Sequence, residues 1–348
     1  MKNKLMLTSA LVGSLVAGSS AIAQTTITGS LDLSYTGVGR SLDSTAATSA
    51  RGMGREAQLN IQTKGKTAIS GLDYAAGFSL EFDGNSSGTG TETSTISNEN
   101  TYIDFIMGGT TLTFGVDHIQ NSHNNLSPTA SINMAEILDA QLSVSYTNAV
   151  GANPKESIGV GIMQATPYGT FSALYVPNNG DNGNRDTRFL QDKAGRESAY
   201  ELGFRGNVGV KGLDAKAFVN REQSNKVNNA VQELEGRSFG LAYNFGEITV
   251  GADRQYTKKV VTQAAEYKTT QVGVSYAATK DLSLSVNKST TKSSLSTSTA
   301  DEDWMQYAIG YNFGPIASSI SYVTVNDVGN VTTNGDYKIA YVRLSTKF

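Results

Sequence analysis

Cysteine is absent, and in 348 residues there are only 5 prolines, 2 histidines and 1 tryptophan, with 17% of the chain charged. Without cysteine there is no disulfide scaffold, no thiolate nucleophile and no cysteine-ligated zinc, which leaves His118 and His123 as the sole imidazoles. Scarce charge and scarce proline argue against disorder. A formal net charge of −3 provides no basic footprint, so no nucleic acid is expected as a partner. Beyond the first residues no run reaches the roughly 18 apolar residues of a membrane-spanning helix. What is abundant is 36 glycines, 16 tyrosines and 12 phenylalanines.

The N-terminus reads as an export address. Met1-Lys2-Asn3-Lys4 is basic, Leu5 to Gly18 is an apolar run, and Ala21-Ile22-Ala23 has the small-x-small pattern of a cleavage site. Residues 1–23 are therefore expected to be a secretory signal peptide. Residues 24–348 then form the mature unit, with 26 basic against 31 acidic residues, a net −5.

From there on the pattern has period two. Ile27, Leu31, Leu33 and Tyr35 alternate with Thr28, Ser30, Asp32 and Ser34. Tyr74, Phe78, Leu80 and Phe82 alternate with Asp73, Ser79, Glu81 and Asp83, and the same rhythm recurs through Leu282/Leu284/Val286. Successive side chains of a strand face opposite ways, so each segment has one apolar and one polar side. A soluble sandwich shares that pattern. Segments of about ten residues with Tyr35, Phe82, Phe105, Tyr175, Tyr243, Phe245, Tyr311 and Phe313 near their ends instead suit a barrel in lipid with aromatic girdles.

Connections fall into two alternating sets. Short ones lie at 108–110, 166–169, 209–212, 245–247, 279–281 and 314–315. Long polar ones are expected at 37–54, 83–98, 117–155, 177–197, 222–236, 257–265, 291–302 and 326–335. At roughly 40 residues per hairpin unit, 325 residues hold about eight pairs. The predicted fold is all-β: a transmembrane antiparallel barrel of about sixteen strands with short periplasmic turns and long external loops. The alternating stretch within 138–148 is placed inside the third long connection.

The opening Ile27-Thr28-Gly29-Ser30-Leu31-Asp32, the hairpin IGVGIMQATPYGTFSALYV (158–176), and the repeats LAYNFG (241–246) and AIGYNFG (308–314) resemble the general porins of Gram-negative outer membranes. So does the closing Tyr341-Val342-Arg343-Leu344-Ser345-Thr346-Lys347-Phe348 with its terminal aromatic. The resemblance implies a sixteen-stranded homotrimer with one pore per subunit and an inward-folded third loop. It further implies outer-membrane lipids as surroundings, and Phe348 as the assembly signal read by the barrel-assembly machinery.

In such a protein the chemistry is that of the lumen. Asp117, His118, Glu136 and Asp139, in the third long connection, are the expected constriction charges. Alternation points Lys64, Arg205, Lys216 and Arg343 inward, together with Asp32, Glu56, Glu81, Asp104, Glu201, Asp214 and Asp253. Within that set Arg205 is expected beside Glu201, and Lys216 beside Asp214. Acids outnumber bases, which predicts passive passage of small hydrophilic solutes and ions with a mild preference for cations. The alternatives are a substrate-selective channel, for which the inward aromatics Tyr102, Phe218 and Trp304 are few, and a structural or adhesive surface barrel. No cofactor and no reaction are expected, since nothing arranges His118 or His123 as a triad. The oxygen-rich stretch 178–186 could hold calcium, but such stretches are for the most part simply turn residues in a loop.

Overall fold

The computed structural model describes residues 24–42, 45–67, 71–86, 92–115, 158–177, 198–227, 230–260, 264–332 and 336–348. Sixteen antiparallel strands close into one barrel. They are β1 Gln24–Leu42, β2 Thr45–Lys66, β3 Asp73–Ser86, β4 Glu92–Met107, β5 Thr110–Gly115, β6 Gly159–Thr166, β7 Gly169–Val176 and β8 Ala199–Gly206. The second half comprises β9 Leu213–Val227, β10 Ala230–Asn244, β11 Ile248–Val260, β12 Ala264–Ala277, β13 Leu282–Ser293, β14 Glu302–Phe313, β15 Ile316–Asn326 and β16 Asp336–Lys347. Every strand pairs with its sequence neighbours, and β16 returns to β1 in register from Ser30↔Lys347 to Ser41↔Asp336. Closure leaves no unpaired edge, the condition for spanning hydrocarbon with strands.

Burial is inverted relative to a water-soluble protein. One register row of outward side chains runs Val250, Val274, Val286, Tyr307, Tyr322 across β11 to β15, and all five are exposed. The inward residues beside them are polar and enclosed, with Asn287 and Gln306 fully buried. An apolar belt outside and polar side chains inside is what a lipid-embedded barrel requires. Aromatics edge the belt. The two Tyr-Asn-Phe-Gly repeats build matching corners, with Tyr243–Phe245 and Tyr311–Phe313 ring centroids both 4.6 Å apart. Gly246 and Gly314 follow at φ 97° and 68°, a region that favours glycine, and turn each chain into its next strand.

The short turns all lie at one end, as expected from the sequence. The long connections do not keep their expected bounds. Strands run through most of 37–54, 83–98, 222–236 and 257–265, and the stretches between strands there shrink to 43–44, 87–91, 228–229 and 261–263. β2 reaches 22 residues, about twice what crosses a bilayer. The physical reason is that apolar alternation marks only the lipid-facing stretch, while the backbone ladder continues beyond it, where both faces are polar. The connections after β13 (294–301) and β15 (327–335) agree closely with expectation.

The seam is sealed by the last residue. Phe348 donates its N–H to the Gly29 carbonyl at 2.9 Å and accepts from the Gly29 N–H at 2.8 Å. Its ring lies over Gly29 so closely that a Cβ there would fall 2.4 Å from the ring. Inside the seam, Arg343 grips Asp32 with Nε–Oδ1 at 3.1 Å and Nη2–Oδ2 at 2.9 Å.

Candidate functional site: the inner wall

The inner wall is best followed along one register row. Arg205 of β8 stands opposite Lys216 of β9, then come Gly240 of β10, Asp253 of β11, Gln271 of β12, Ser289 of β13, Trp304 of β14, Val325 of β15 and Tyr337 of β16. The row begins charged, becomes neutral and polar, and ends apolar.

At the charged end the Lys216 ammonium reaches across β10 to the Asp253 carboxylate at 2.8 Å, with both side chains fully enclosed. This bridge spans two strand intervals and depends on Gly240. A Cβ at that position would fall 2.6 Å from Asp253 Oδ2. Arg205 instead grips Asp214, with Nη2–Oδ2 at 2.7 Å and Nε at 3.2 Å from both oxygens. The expected pairings of Arg205 with Glu201 and of Lys216 with Asp214 are therefore corrected. Residues four apart on one strand, such as Glu201 and Arg205, are about 13 Å apart, whereas cross-strand and diagonal neighbours lie within about 4.5–8 Å; Asp214 and Lys216, two apart on β9, each meet a partner on another strand instead.

The β2–β5 wall is a hydrogen-bonded polar surface. Ser79 Oγ donates to Asn60 Oδ1 at 2.7 Å and accepts from Asn100 Nδ2 at 3.2 Å. Thr113 Oγ1 donates to Asp104 Oδ1 at 2.6 Å, and Gln62 donates to the Tyr102 hydroxyl. Lys64, Glu56 and Glu81 occupy inward positions of β2 and β3, in register with inward neighbours such as Gln58 opposite Glu81. At the short-turn end Lys66 pairs with Asp73 at 2.5 Å. Asp117, His118, His123, Glu136 and Asp139, the 138–148 stretch and 178–186 lie outside the described residues.

The apolar end was not expected from the sequence. Trp304, Val323, Val325, Val328, Ile339 and Tyr341 pack into one buried cluster inside the barrel, flanked by Val38 and Tyr337. The one-turn 3-10 helix Val328–Asn330 supplies Val328 and is pinned by buried Asn330. Asn330 Nδ2 donates to the Thr291 carbonyl at 2.6 Å, while the Asn330 carbonyl accepts from the Thr299 and Ala300 N–H groups. The Trp304 indole N–H donates to Glu302 Oε1 at 2.7 Å. A signal for this cluster was present: Ile339 and Tyr341 share the face of Arg343 by two-residue steps, and Val323 and Val325 share that of Ser321.

A family profile described as Gram-negative porin matches residues 8–333. The chain belongs to the Gram-negative porins. The anion-selective porin from Comamonas acidovorans superposes with a TM-score of 0.67 at 12% identity, covering 94% of this chain and 100% of that one. The outer-membrane channel DcaP of Acinetobacter baumannii gives 0.63 at 13% identity, covering 94% and 97%. Salmonella typhi OmpF, in complex with daunomycin, gives 0.61 at 12%, covering 91% and 97%. At such identities the likeness is one of fold. No curated protein sequence matches the chain. This porin is thus an outer-membrane channel and not an enzyme.

Proposed function

We propose that this porin is a passive, water-filled diffusion channel for small hydrophilic solutes and ions, with a mild preference for cations. The observation that carries the reading is the charge of the inner wall. Among the described inward positions, the acids Asp32, Glu56, Asp73, Glu81, Asp104, Glu201, Asp214, Asp253 and Glu302 outnumber the bases Lys64, Lys66, Arg205, Lys216, Arg343 and Lys347. Four acids, Asp32, Asp73, Asp214 and Asp253, are matched one to one by Arg343, Lys66, Arg205 and Lys216. The remaining acid excess inside a low-dielectric wall raises the local concentration of cations. Asp117, His118, Glu136 and Asp139 of the third external connection are the residues we assign to narrowing the lumen. A Comamonas relative in fold is anion-selective, but at 12% identity the sign of selectivity rests on each chain's own lining.

The same reading makes residues 1–23 a cleaved signal peptide, the working unit a homotrimer, and Phe348 the point read during assembly. The test is the reversal potential of the purified, folded protein in a planar bilayer under a potassium chloride gradient. A potential of the sign set by potassium flux is expected. A chloride-favouring sign overturns the cation preference, and silence of a correctly folded protein overturns the channel.

A further inference from the structure

The closure that seals the barrel across the membrane ends at Phe348. There β16 stops, its last residue paired with Gly29, while β1 extends beyond it through residues 24–28. That extension pairs with β2 alone, from Gln24↔Lys64 to Thr28↔Asn60. Gly29 turns both its N–H and its C=O towards Phe348. Backbone groups of an antiparallel strand alternate sides, so Ile27 and Thr25 turn theirs the same way. Among the described residues no strand lies on that flank to meet them. Ile27 opposite Ile61 is the last apolar outward row of this hairpin, and Thr25 opposite Thr63 follows it. The open edge therefore lies at the short-turn rim of the belt, where an unpaired ladder is a template for another strand.

A cavity of about 490 Å³ opens beside this edge, lined on the lumen side by Thr28, Ser30, Gln58, Asn60 and Lys347. Among the described residues Lys347 has no ion partner, and the Thr28 and Ser30 hydroxyls make no hydrogen bond. Alternation sets what an added strand must carry. Ile27, 45% exposed, and Thr25 face outward, so residues opposite them meet the membrane rim and suit apolar side chains. Thr28 and Thr26 face the lumen. A residue opposite Thr28 would continue the line of β16 two positions beyond Lys347, about 7 Å along it, where the ammonium favours an acid. The Phe348 carboxylate stands at the head of the same line and favours a free amino terminus.

We propose that the open edge of β1 is a β-augmentation site for an extended peptide of a periplasmic partner, laid antiparallel to β1 in line with β16. Its second and fourth residues exchange backbone hydrogen bonds with Ile27 and Thr25, and its first residue, an acid, faces Lys347. The site rests on the reading that makes residues 24–348 the mature unit. The experiment titrates a synthetic pentapeptide alternating aspartate and valine, free at its amino terminus, into the barrel purified from outer membranes. Binding is read by the fluorescence anisotropy of a dye at the peptide's carboxyl end. Ile27→Pro deletes the N–H that faces the open edge and leaves the bonds to β2, since proline is admitted where a strand's N–H faces solvent. It is expected to weaken the peptide about tenfold, as is methylation of the two valine nitrogens. Lys347→Gln is expected to weaken it about threefold. Lys211→Gln, in a different short turn, leaves the affinity unchanged, and circular dichroism of each variant reports that its strands have formed. Equal affinity of parent and folded I27P overturns the proposal, as does equal affinity of the methylated peptide. Peptide that blocks conductance and is indifferent to I27P sits in the lumen, which also overturns it. Pairing of barrels that I27P abolishes, with no peptide bound, overturns the peptide as occupant in favour of a second copy. The intact mass of the purified protein separates the two readings. A chain that retains residues 1–23 overturns the mature boundary and the open edge with it, whereas the mass of 24–348 without peptide binding overturns the site alone.

Discussion

Lys216 and Trp304 stand in the same register row of the inner wall, six strands apart counting inclusively from β9 to β14, yet their surroundings obey opposite rules. Lys216 stands between Arg205 and Gly240 in the row, and its enclosed ammonium is matched by a carboxylate two strands away across that glycine. Around Trp304 the chain folds back on itself: Val328 arrives from the β15–β16 connection, and the wall beneath is Val323, Val325, Ile339 and Tyr341. The difference teaches that "inside" in this barrel is two environments. Where the wall faces the lumen it is polar and ion-paired. Where a connection lies against the wall, a small dry core forms and apolar side chains become favourable there, as in any protein interior.

Trp304→Ala attacks the dry side and is expected to have the largest effect. Truncating a buried aromatic costs about 3–5 kcal/mol through lost transfer energy and the cavity left behind. It also leaves Glu302 without its indole donor. A lower urea midpoint in lipid vesicles, together with larger or noisier single-channel conductance as Val328 loses its seat, is the expected result. An unchanged midpoint would mean that the apolar cluster contributes nothing to holding the β15–β16 connection.

Lys216→Met attacks the polar side. Removing one partner of an enclosed ion pair strands the other charge, at a cost of about 3 kcal/mol. Adding Asp253→Leu removes the stranded carboxylate, so the double variant is expected to recover most of the loss. Selectivity separates the two variants further. The single variant removes one positive charge from the wall and shifts the reversal potential towards cations, whereas the double variant removes one charge of each sign and returns it near the parent value. If the double variant is no more stable than the single, the pair is not coupled across Gly240.

The contrast between these regions also marks what was legible in the sequence. The facing of Lys216, Asp253, Tyr102 and Leu284 follows from period two, because alternation is a local property of each strand, and strand number follows from the length of chain per hairpin. Pairing did not follow: Arg205 chose Asp214 and Lys216 chose Asp253 because register, set by turns and closure, decides which side chains meet. Strand ends were hidden for a related reason, since hydropathy reports lipid contact and not the ladder, as β1 and β2 show by running on past Tyr35 and Arg55. In the Trp304 cluster the inward facing of Val323, Val325, Ile339 and Tyr341 was legible by two-residue steps, but the seating of Val328 was not, because it comes from a polar connection whose docking no local pattern encodes. The charges of 117–155 were singled out by their place in the third long connection.

Arg205→Gln gives the smallest expected change and the finest test of the polar wall. The Arg205–Asp214 pair is bidentate, but its side chains are 43% and 39% exposed, so water screens it and its loss costs about 0–1 kcal/mol. Stability by urea midpoint should stay near that of the parent, unlike the enclosed pair next to it. The charge itself still faces the lumen, and neutralising it leaves Asp214 to attract cations, so the reversal potential should shift in the cation direction. That shift should shrink as salt rises, because screening contracts from about 10 Å at 0.1 M to about 3 Å at 1 M. A stability loss as large as that of Lys216→Met would show that exposure does not separate the two pairs. A selectivity shift insensitive to salt would show that Arg205 acts through the shape of the wall and not through its field.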